Sequence, residues 1–298
     1  MTQSNTFSNR SLSVDCSTMP ATQASQLKGK FCGAHGLSLF YQAWYPSGTA
    51  RAVIALVHGF GEHCDRYHTV TTALTQAGYV IFGFDNQGHG RSEGQRGHIN
   101  RWQDYRDNVS AFLAQVRQHE PRLPLFILGH SLGGLIVLDF ALTAPQGIAG
   151  IIISGPPIRP VGIAKPYLVA IARLLSGIWP RFSMDVGTGR DTLSRDPAIV
   201  NQMQTDPLTH SVATVRWGTE CLVAIANVRK TISQLQLPIL LIHGSADKVN
   251  DVCGSQEIFE RISVDKTLKI YPGSYHEPHN DLDRQQVMHD IIAWLAEH

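Results

Sequence analysis

Gly129-His130-Ser131-Leu132-Gly133 lies between two apolar runs, and this order of patterns decides the fold. Residues 124–128 (PLFIL) predict a buried strand, and residues 135–144 (LIVLDFALTA) predict a helix. A serine in a sharp turn from strand to helix occupies a strained backbone position, and flanking glycines let other backbone approach it closely. The sequence therefore predicts a serine that is held where it could act as a nucleophile.

A nucleophilic serine needs a base to take its proton and an acid to orient that base. Gly-x-Ser-x-Gly between a strand and a helix is typical of α/β-hydrolases, in which Asp and then His follow the serine, each after a strand. Asp247 follows the apolar run 238–243 (PILLIH), and His276 follows the run 267–271 (TLKIY). We therefore predict Ser131, Asp247 and His276 as the catalytic residues.

Each of the two partners has a nearby competitor. Asp251 follows Asp247 closely, and an aspartate after a strand is often only a turn or helix cap. His279 competes with His276 in the same way. We prefer Asp247 and His276 because they come sooner after their strands. The two histidines also have a spacing seen in metal sites, but no glutamate-bearing zinc motif accompanies them, so no metal or cofactor is expected.

Backbone donors for an oxyanion can also be located. Residues 52–57 (AVIALV) predict another buried strand, and the loop His58-Gly59-Phe60-Gly61 follows it. Hydrolases of this fold take one N–H group from this loop and one from the residue after the nucleophile. We therefore predict the amides of Phe60 and Leu132 as the oxyanion hole, in which each donor is typically worth about 3 kcal/mol.

Two motifs resemble those of a known family. Residues 58–67 (HGFGEHCDRY) resemble the H-G-x-G-E-H-x-x-R-Y signature of monoacylglycerol lipases, and residues 85–98 (DNQGHGRSEGQRGH) match the D-x-x-G-H-G-x-S-x-G-x-R-G stretch of that family. These enzymes and their lysophospholipase-like relatives are serine aminopeptidase S33-like hydrolases. The resemblance runs from about residue 33 to the C-terminus and is weakest in the middle. It implies the same three catalytic residues and the same two oxyanion donors.

The resemblance implies hydrolysis of monoacylglycerols to glycerol and fatty acid through an acyl-enzyme on Ser131. A lysophospholipase, or a carboxylesterase for aromatic esters, would use the same residues. A hydrolase-fold protein that only binds a ligand is a non-enzymatic alternative. His276 and Asp281 also match an H-x4-D acyltransferase pattern, which we interpret as coincidence because His276 already has a role.

Glu62 and His63 allow two interpretations. They could contact the hydroxyl groups of a leaving glycerol, or they could belong to an ion-pair network that holds the oxyanion loop. Buried charges are rarely tolerated without partners, which favours the network.

Composition indicates one large globular domain. The 298 residues include 25 basic and 24 acidic side chains, so nothing indicates a nucleic-acid partner. Five scattered cysteines are typical of free thiols in a reducing compartment. No run of eighteen apolar residues exists, and the first residues lack the apolar core of a signal peptide. We expect a cytoplasmic location, with a lipid ester as substrate and an oligomeric state that the sequence does not define.

Alternating strand and helix patterns predict an α/β fold with a mostly parallel sheet and helices on both faces. Residues 1–28 are rich in Ser, Thr, Gln and Asn and predict a flexible tail, followed by a hydrolase core over 29–154 and 212–298. Residues 155–211 show several prolines and no clear strand, and predict an inserted cap over the active site. Within the cap, residues 166–179 predict a helix that is apolar nearly all round. Such a helix is generally buried, although its outer side could contact a membrane.

Overall fold

The computed structural model describes residues 26–162, 166–187 and 189–298. A central sheet of eight strands, in the order β1-β2-β4-β3-β5-β6-β9-β10, carries the fold, and β7 and β8 form a separate pair. The strands are β1 (Gln26–Cys32), β2 (Ser38–Trp44), β3 (Ala52–Val57), β4 (Tyr79–Phe84), β5 (Leu125–His130), β6 (Gly150–Ser154), β7 (Ser183–Asp185), β8 (Val212–Thr214), β9 (Ile239–Gly244) and β10 (Lys266–Tyr271).

Eight α-helices accompany these strands in the described part of the chain. They are α1 (His68–Gln76), α2 (Gln103–His119), α3 (Leu132–Thr143), α4 (Pro166–Ile178), α5 (Pro197–Thr205), α6 (Val215–Thr231), α7 (Cys253–Arg261) and α8 (Arg284–Glu297). The α/β fold is confirmed, with strands and helices alternating along most of the chain.

The central strands are buried on both faces, as their continuous apolar runs predict. Every residue of β3, β5, β6 and β9 is buried, and these strands pair in parallel with their neighbours in the sheet. One apolar core contains side chains of α2, α3, α6 and α7, and the other contains side chains of α1 and α8. The sheet is therefore covered by helices on both faces, and the mostly parallel arrangement is confirmed.

Strand β1 corrects the predicted flexible tail over residues 1–28. Gln26 pairs with Trp44 at the start of an antiparallel ladder that runs to Cys32 and Ser38. The polar composition of this stretch hides a strand because β1 lies at the edge of the sheet, where alternate side chains face solvent. Residues 1–25, which make up the rest of the predicted tail, lie outside the described residues.

The segment between β6 and β9 departs from the regular alternation of strands and helices, as expected. Its structure differs from our prediction in two respects. Strand β7 lies inside the 155–211 range, where we predicted no clear strand, and it pairs with β8 just beyond that range. The predicted burial of the helix at 166–179 is wrong for one face of α4. Side chains on that face are half or more exposed, namely Tyr167, Ile171, Leu174 and Ile178, and Trp179 follows them. Apolar composition does not distinguish a buried helix from one whose apolar face is open.

No helix in the described ranges has the length and hydropathy needed to cross a lipid bilayer.

Gly133 allows the close contact between α3 and β3, and its substitution tests that contact. A Cβ at Gly133 would lie 2.1 Å from the carbonyl oxygen of Val57, which is backbone and cannot swing away. We expect Gly133→Ala to lower the free energy of unfolding by about 1–3 kcal/mol, as overpacking does. Gly218→Ala on α6 is the control, because nothing lies within 4 Å of its Cβ position and alanine favours a helix. Equal denaturant midpoints for the two variants would contradict this packing.

Candidate active site

Ser131 stands at the turn between β5 and α3 with φ 52° and ψ −119°, a conformation that L-residues rarely adopt. It is one of two described non-glycine residues with a positive φ. The Ser131 amide donates to the carbonyl of Ser154 at 2.8 Å, which holds the turn to strand β6. The short strand-to-helix turn therefore presents the Ser131 hydroxyl at the carboxyl edge of the sheet.

The structure brings Ser131, His276 and Asp247 into one hydrogen-bonded chain. His276 Nε2 lies 2.9 Å from Ser131 Oγ, and His276 Nδ1 lies 2.7 Å from Asp247 Oδ2. Asp247 follows β9, and His276 follows β10. Carboxyl ends of parallel strands meet at one edge of a sheet, which is why residues far apart in sequence converge here.

The two competitors do not join this chain. Asp251 is exposed, and its carboxylate accepts from the backbone amide of Cys253 at the start of α7. His279 is buried, and its ring stacks on Tyr67 with centroids 5.0 Å apart. The geometry therefore favours Asp247 over Asp251 and His276 over His279 as partners of Ser131.

Charge partners set the protonation states of the chain. Although burial alone would lower it, the pKa of His276 is raised because the Asp247 carboxylate stabilises the imidazolium. Burial opposes ionisation of Asp247 as well, yet His276 and the hydrogen bonds that Asp247 accepts lower the pKa of its carboxyl. An ionised Asp247 thus faces the imidazole and makes it a stronger base than an isolated buried histidine.

The predicted oxyanion donors lie beside Ser131. Leu132 is the first residue of α3, so its amide has no carbonyl partner within the helix. Phe60 follows Gly59, and a Cβ at Gly59 would lie 3.2 Å from Ser131 Cβ. The loop after β3 therefore runs directly against the nucleophile turn, where two backbone N–H groups can face the same small region.

Glu62 belongs to a buried network. Its Oε1 accepts from Gly59 N and from the Tyr67 hydroxyl at 2.7 Å, and its Oε2 accepts from Arg66 Nε at 3.2 Å. Arg66 also donates to Glu277 at 2.9 Å. Burial disfavours the charge, but Arg66, two nearby histidines and the Tyr67 hydroxyl together outweigh it and lower the pKa of Glu62. The network holds the loop after β3 through Gly59, while Glu62 also lines the adjacent cavity.

His63 points away from that cavity. Its Nε2 donates to Asp206 Oδ2 at 2.6 Å, so the ring links the oxyanion loop to the segment that follows α5. The His63 side chain is almost fully buried. The structure therefore places Glu62 at the site and His63 behind it.

A cavity of about 490 Å³ lies beside Ser131 and His276. Much of its wall comes from residues 155–211 and from α6. Apolar side chains dominate that wall, including Val169, Met184, Leu193, Met203, Trp217 and Ile225. The arrangement places the Ser131 hydroxyl at the side of an apolar cavity.

Metal binding finds no support among the residues that the structure describes. Within them, no group of three or more His, Cys, Asp or Glu side chains is arranged to hold an ion. His276 already uses one ring nitrogen toward Ser131 and the other toward Asp247.

Comparison with known proteins shows the family. The serine aminopeptidase S33 model matches residues 48–283. The monoglyceride lipase of Rattus norvegicus is 36% identical over 275 residues, covering 88% of each chain, and the monoacylglycerol lipase of Mycolicibacterium smegmatis is 32% identical over 270 residues, covering 90% of this chain and 96% of that protein. The chain belongs to the monoacylglycerol lipase family. The resemblance drawn from the sequence is thereby confirmed.

Solved structures agree with this assignment. The monoacylglycerol lipase of Paleococcus ferrophilus is 30% identical with a TM-score of 0.79, covering 92% of this chain and 99% of that one. A Saccharomyces cerevisiae monoglyceride lipase in complex with a substrate analogue is 26% identical with a TM-score of 0.83, covering 96% and 99%. This monoacylglycerol lipase family member is a carboxylic ester hydrolase with the α/β-hydrolase fold, which excludes the alternative of a protein that only binds a ligand.

Several residues of this family member's site were missed by the sequence reasoning. Glu277 is the second partner of Arg66, and Trp217 lies over Phe60 with ring centroids 4.3 Å apart. His243 contacts Asp247, and the sequence pattern does not mark it because it lies at the end of an apolar strand run. Spacing cannot reveal the first two pairs, because tertiary packing brings their members together. His243 and Asp247 are close in sequence, but spacing alone does not show that their side chains meet.

The raised pKa of His276 gives a direct test by histidine NMR. We expect its imidazole to titrate above the ordinary value of 6.5, because the protonated ring gains the Asp247 ion pair. His279 serves as an internal comparison, since burial, with Arg66 nearby, lowers its pKa below 6.5. Asp247→Asn is expected to bring the His276 midpoint down, with resonances assigned by His276→Gln. A midpoint that does not move in Asp247→Asn would contradict the ion pair as the cause.

Proposed function

We propose that this protein hydrolyses monoacylglycerols to glycerol and fatty acid through an acyl-enzyme on Ser131. One observation carries the proposal, namely the hydrogen-bonded chain from Asp247 through His276 to Ser131 beside an apolar cavity. The chain supplies the chemistry of ester cleavage, and the cavity suits a single hydrocarbon chain.

The first half of the proposed reaction forms the acyl-enzyme. His276 Nε2 takes the Ser131 proton while Oγ bonds to the ester carbonyl carbon. The amides of Phe60 and Leu132 donate to the oxyanion. When the tetrahedral intermediate collapses, His276 returns the proton to the ester oxygen, and glycerol leaves with that proton.

The second half releases the acid. A water molecule gives a proton to His276 as its oxygen bonds to the acyl carbon. The Ser131 oxygen then leaves and recovers the proton, which regenerates the hydroxyl. Asp247 keeps one imidazole tautomer throughout and stabilises the imidazolium that forms in each half. The reaction needs no cofactor.

The walls of the cavity support an acyl site. Residues 155–211, which we propose form a cap, contribute apolar side chains to the wall, and so does α6. Burying a chain here removes each methylene from water, worth about 0.8 kcal/mol per CH₂. Glu62 is a polar residue of the cavity wall, and we propose that it faces the leaving group. Its main proposed role is to hold the oxyanion loop. His63 then anchors that loop to the cap through Asp206.

The exposed apolar face of α4 supports peripheral contact with a lipid surface. Leu174 and Ile178 are 66% and 74% exposed, and Trp179 is 60% exposed at the end of the helix. An apolar helix face with a terminal tryptophan suits the interface of a bilayer. We propose that α4 lies on the membrane from which substrate is drawn, while the rest of the enzyme stays in the cytoplasm, where the four free cysteines described here would remain reduced.

A substrate panel tests the proposed reaction. Purified protein is given long-chain and short-chain monoacylglycerols, lysophosphatidylcholine, a caffeoyl ester and p-nitrophenyl acetate. We expect the long-chain monoacylglycerol to be the best substrate because its chain fills the apolar cavity. Ser131→Ala should reduce turnover by several orders of magnitude, and so should Asp247→Asn, by about 10³–10⁴.

The panel's other arms separate the alternatives. Turnover of lysophosphatidylcholine or the caffeoyl ester alone would keep Ser131 as the nucleophile and replace the proposed substrate. Turnover that survives in Ser131→Ala would overturn the mechanism.

Membrane contact by α4 is tested by vesicle sedimentation. We expect the wild-type protein to bind phosphatidylcholine vesicles and Leu174→Glu to lose about ten-fold in partitioning, because a charge then has to enter the interface. The matched control is Leu282→Glu, a leucine 60% exposed outside α4, which should bind like the wild type. Equal binding of the two variants would place the contact elsewhere.

A further inference from the structure

A second histidine touches the carboxylate that orients His276. His243 lies near the end of β9, and its side chain is completely buried. Its Nε2 is 3.2 Å from Asp247 Oδ2 and 3.0 Å from the carbonyl oxygen of Asn250. Its Nδ1 is 2.7 Å from Ser255 Oγ, on α7. Every polar atom of the ring therefore has a partner within hydrogen-bond distance.

These partners define the tautomer of His243. An ionised carboxylate and a backbone carbonyl can only accept, so the ring nitrogen between them must carry a proton. Nδ1 of a neutral ring then has a lone pair, and the Ser255 hydroxyl donates to it. Ser255 itself is fully buried. Ser255 therefore donates to His243, and the Nε2–H group of His243 faces the Asn250 carbonyl at 3.0 Å with Asp247 Oδ2 at 3.2 Å.

The contact matters because of how Asp247 is held. Its Oδ1 accepts from the backbone amides of Val249 and Asn250, at 2.7 and 2.9 Å. Its Oδ2 accepts from His276 at 2.7 Å, and Nε2 of His243 lies 3.2 Å from the same oxygen. Backbone thus fixes one oxygen, whereas two histidines share the other. Without His243, the oxygen that faces the base would have His276 as its one side-chain donor among the described residues.

We propose that His243 is a positioning residue for the reaction, which fixes Asp247 Oδ2 against His276 and draws off part of its charge. This inference rests on the proposed function of Ser131, His276 and Asp247. The charged or titratable groups around the pair are known: Asp251 is near His243, and Glu62, Glu277 and His130 are near His276. None of these four groups donates a hydrogen bond to Asp247. His243 therefore acts on the base through Asp247 Oδ2, and it also contacts the carbonyl of Asn250, whose amide bonds Oδ1.

A pair of variants tests the donor itself. His243→Met removes the N–H group but keeps a large side chain, and His243→Gln keeps an N–H donor at a similar reach. On a soluble short-chain ester, we expect His243→Met to lower kcat about ten-fold with KM nearly unchanged. The acidic limb of its pH profile should move to higher pH, because Asp247 then concentrates its charge on His276. The kcat of His243→Gln should stay within about three-fold of the wild-type value, and the acidic limb of its pH profile should not move.

Each outcome decides the matter. A folded His243→Met variant with an unmoved or lowered acidic limb overturns the proposal, and so does a His243→Gln variant as impaired as His243→Met. Thermal unfolding of both variants shows whether they are folded. Ser131→Ala, measured alongside, reports on the proposed function separately, since it tests the nucleophile and not His243.

A measurement on the unaltered protein covers the case in which His243→Met does not fold. In a sample with ¹⁵N-labelled histidine, the nitrogen shifts of His243 report which nitrogen carries the proton. The proposal requires the proton on Nε2 at pH 8. A proton on Nδ1 would leave Asp247 facing a lone pair and would end the proposal, whatever the activity of the protein.

Discussion

The backbone at Ser131 is the constraint on which the rest of the site depends. A non-glycine residue at φ 52° costs about 1–3 kcal/mol and persists only where its surroundings determine it. Strand β6 supplies one restraint through the carbonyl of Ser154, and α3 supplies another because Leu135 donates to the carbonyl of Ser131 at 3.1 Å. Gly133 supplies the third by packing against the backbone of Val57. The turn therefore needs β3 and β6 on either side of β5.

That same strand order brings the other two residues to the serine. Strand β9 pairs with β6, and β10 pairs with β9, so the loops after these strands follow one another along a single edge. Asp247 and His276 occupy those loops at the distances that hydrogen bonding requires. A change of strand order would separate the three residues even if every local turn were kept. The sheet is thus part of the site and not only its support.

Sequence reasoning succeeds where burial produces a recognisable pattern of apolar residues along the chain. Strand β3 was predicted at its observed limits, 52–57, because a parallel strand buried on both faces is a continuous apolar run. The same logic located the three loops that carry Ser131, Asp247 and His276, since each loop directly follows such a run. The order of residues after strands is a local property, and the sequence displays it.

Tertiary partners produce no such pattern. Arg66 and Glu277 are 211 positions apart, and nothing in either neighbourhood points to the other. Helix α4 was misjudged for a related reason, because an apolar surface has the same composition whether or not something covers it. His243 was concealed by its own strand, where a histidine at the end of an apolar run looks like the first polar residue of a turn. Its role depends on Ser255, which the fold of α7 brings beneath it.

Contacts between the 155–211 segment and the core connect the cavity wall to the loops around Ser131. Asp206 bonds His63, and the amide of His210 donates to the carbonyl of Gly61 at 2.9 Å, so this segment holds the oxyanion loop. Leu193 accepts from the amide of Glu277 at 2.8 Å, next to His276. Leu193 also lines the cavity. A change in the shape of the cavity wall therefore acts on backbone that is bonded directly to the two loops beside Ser131 and His276.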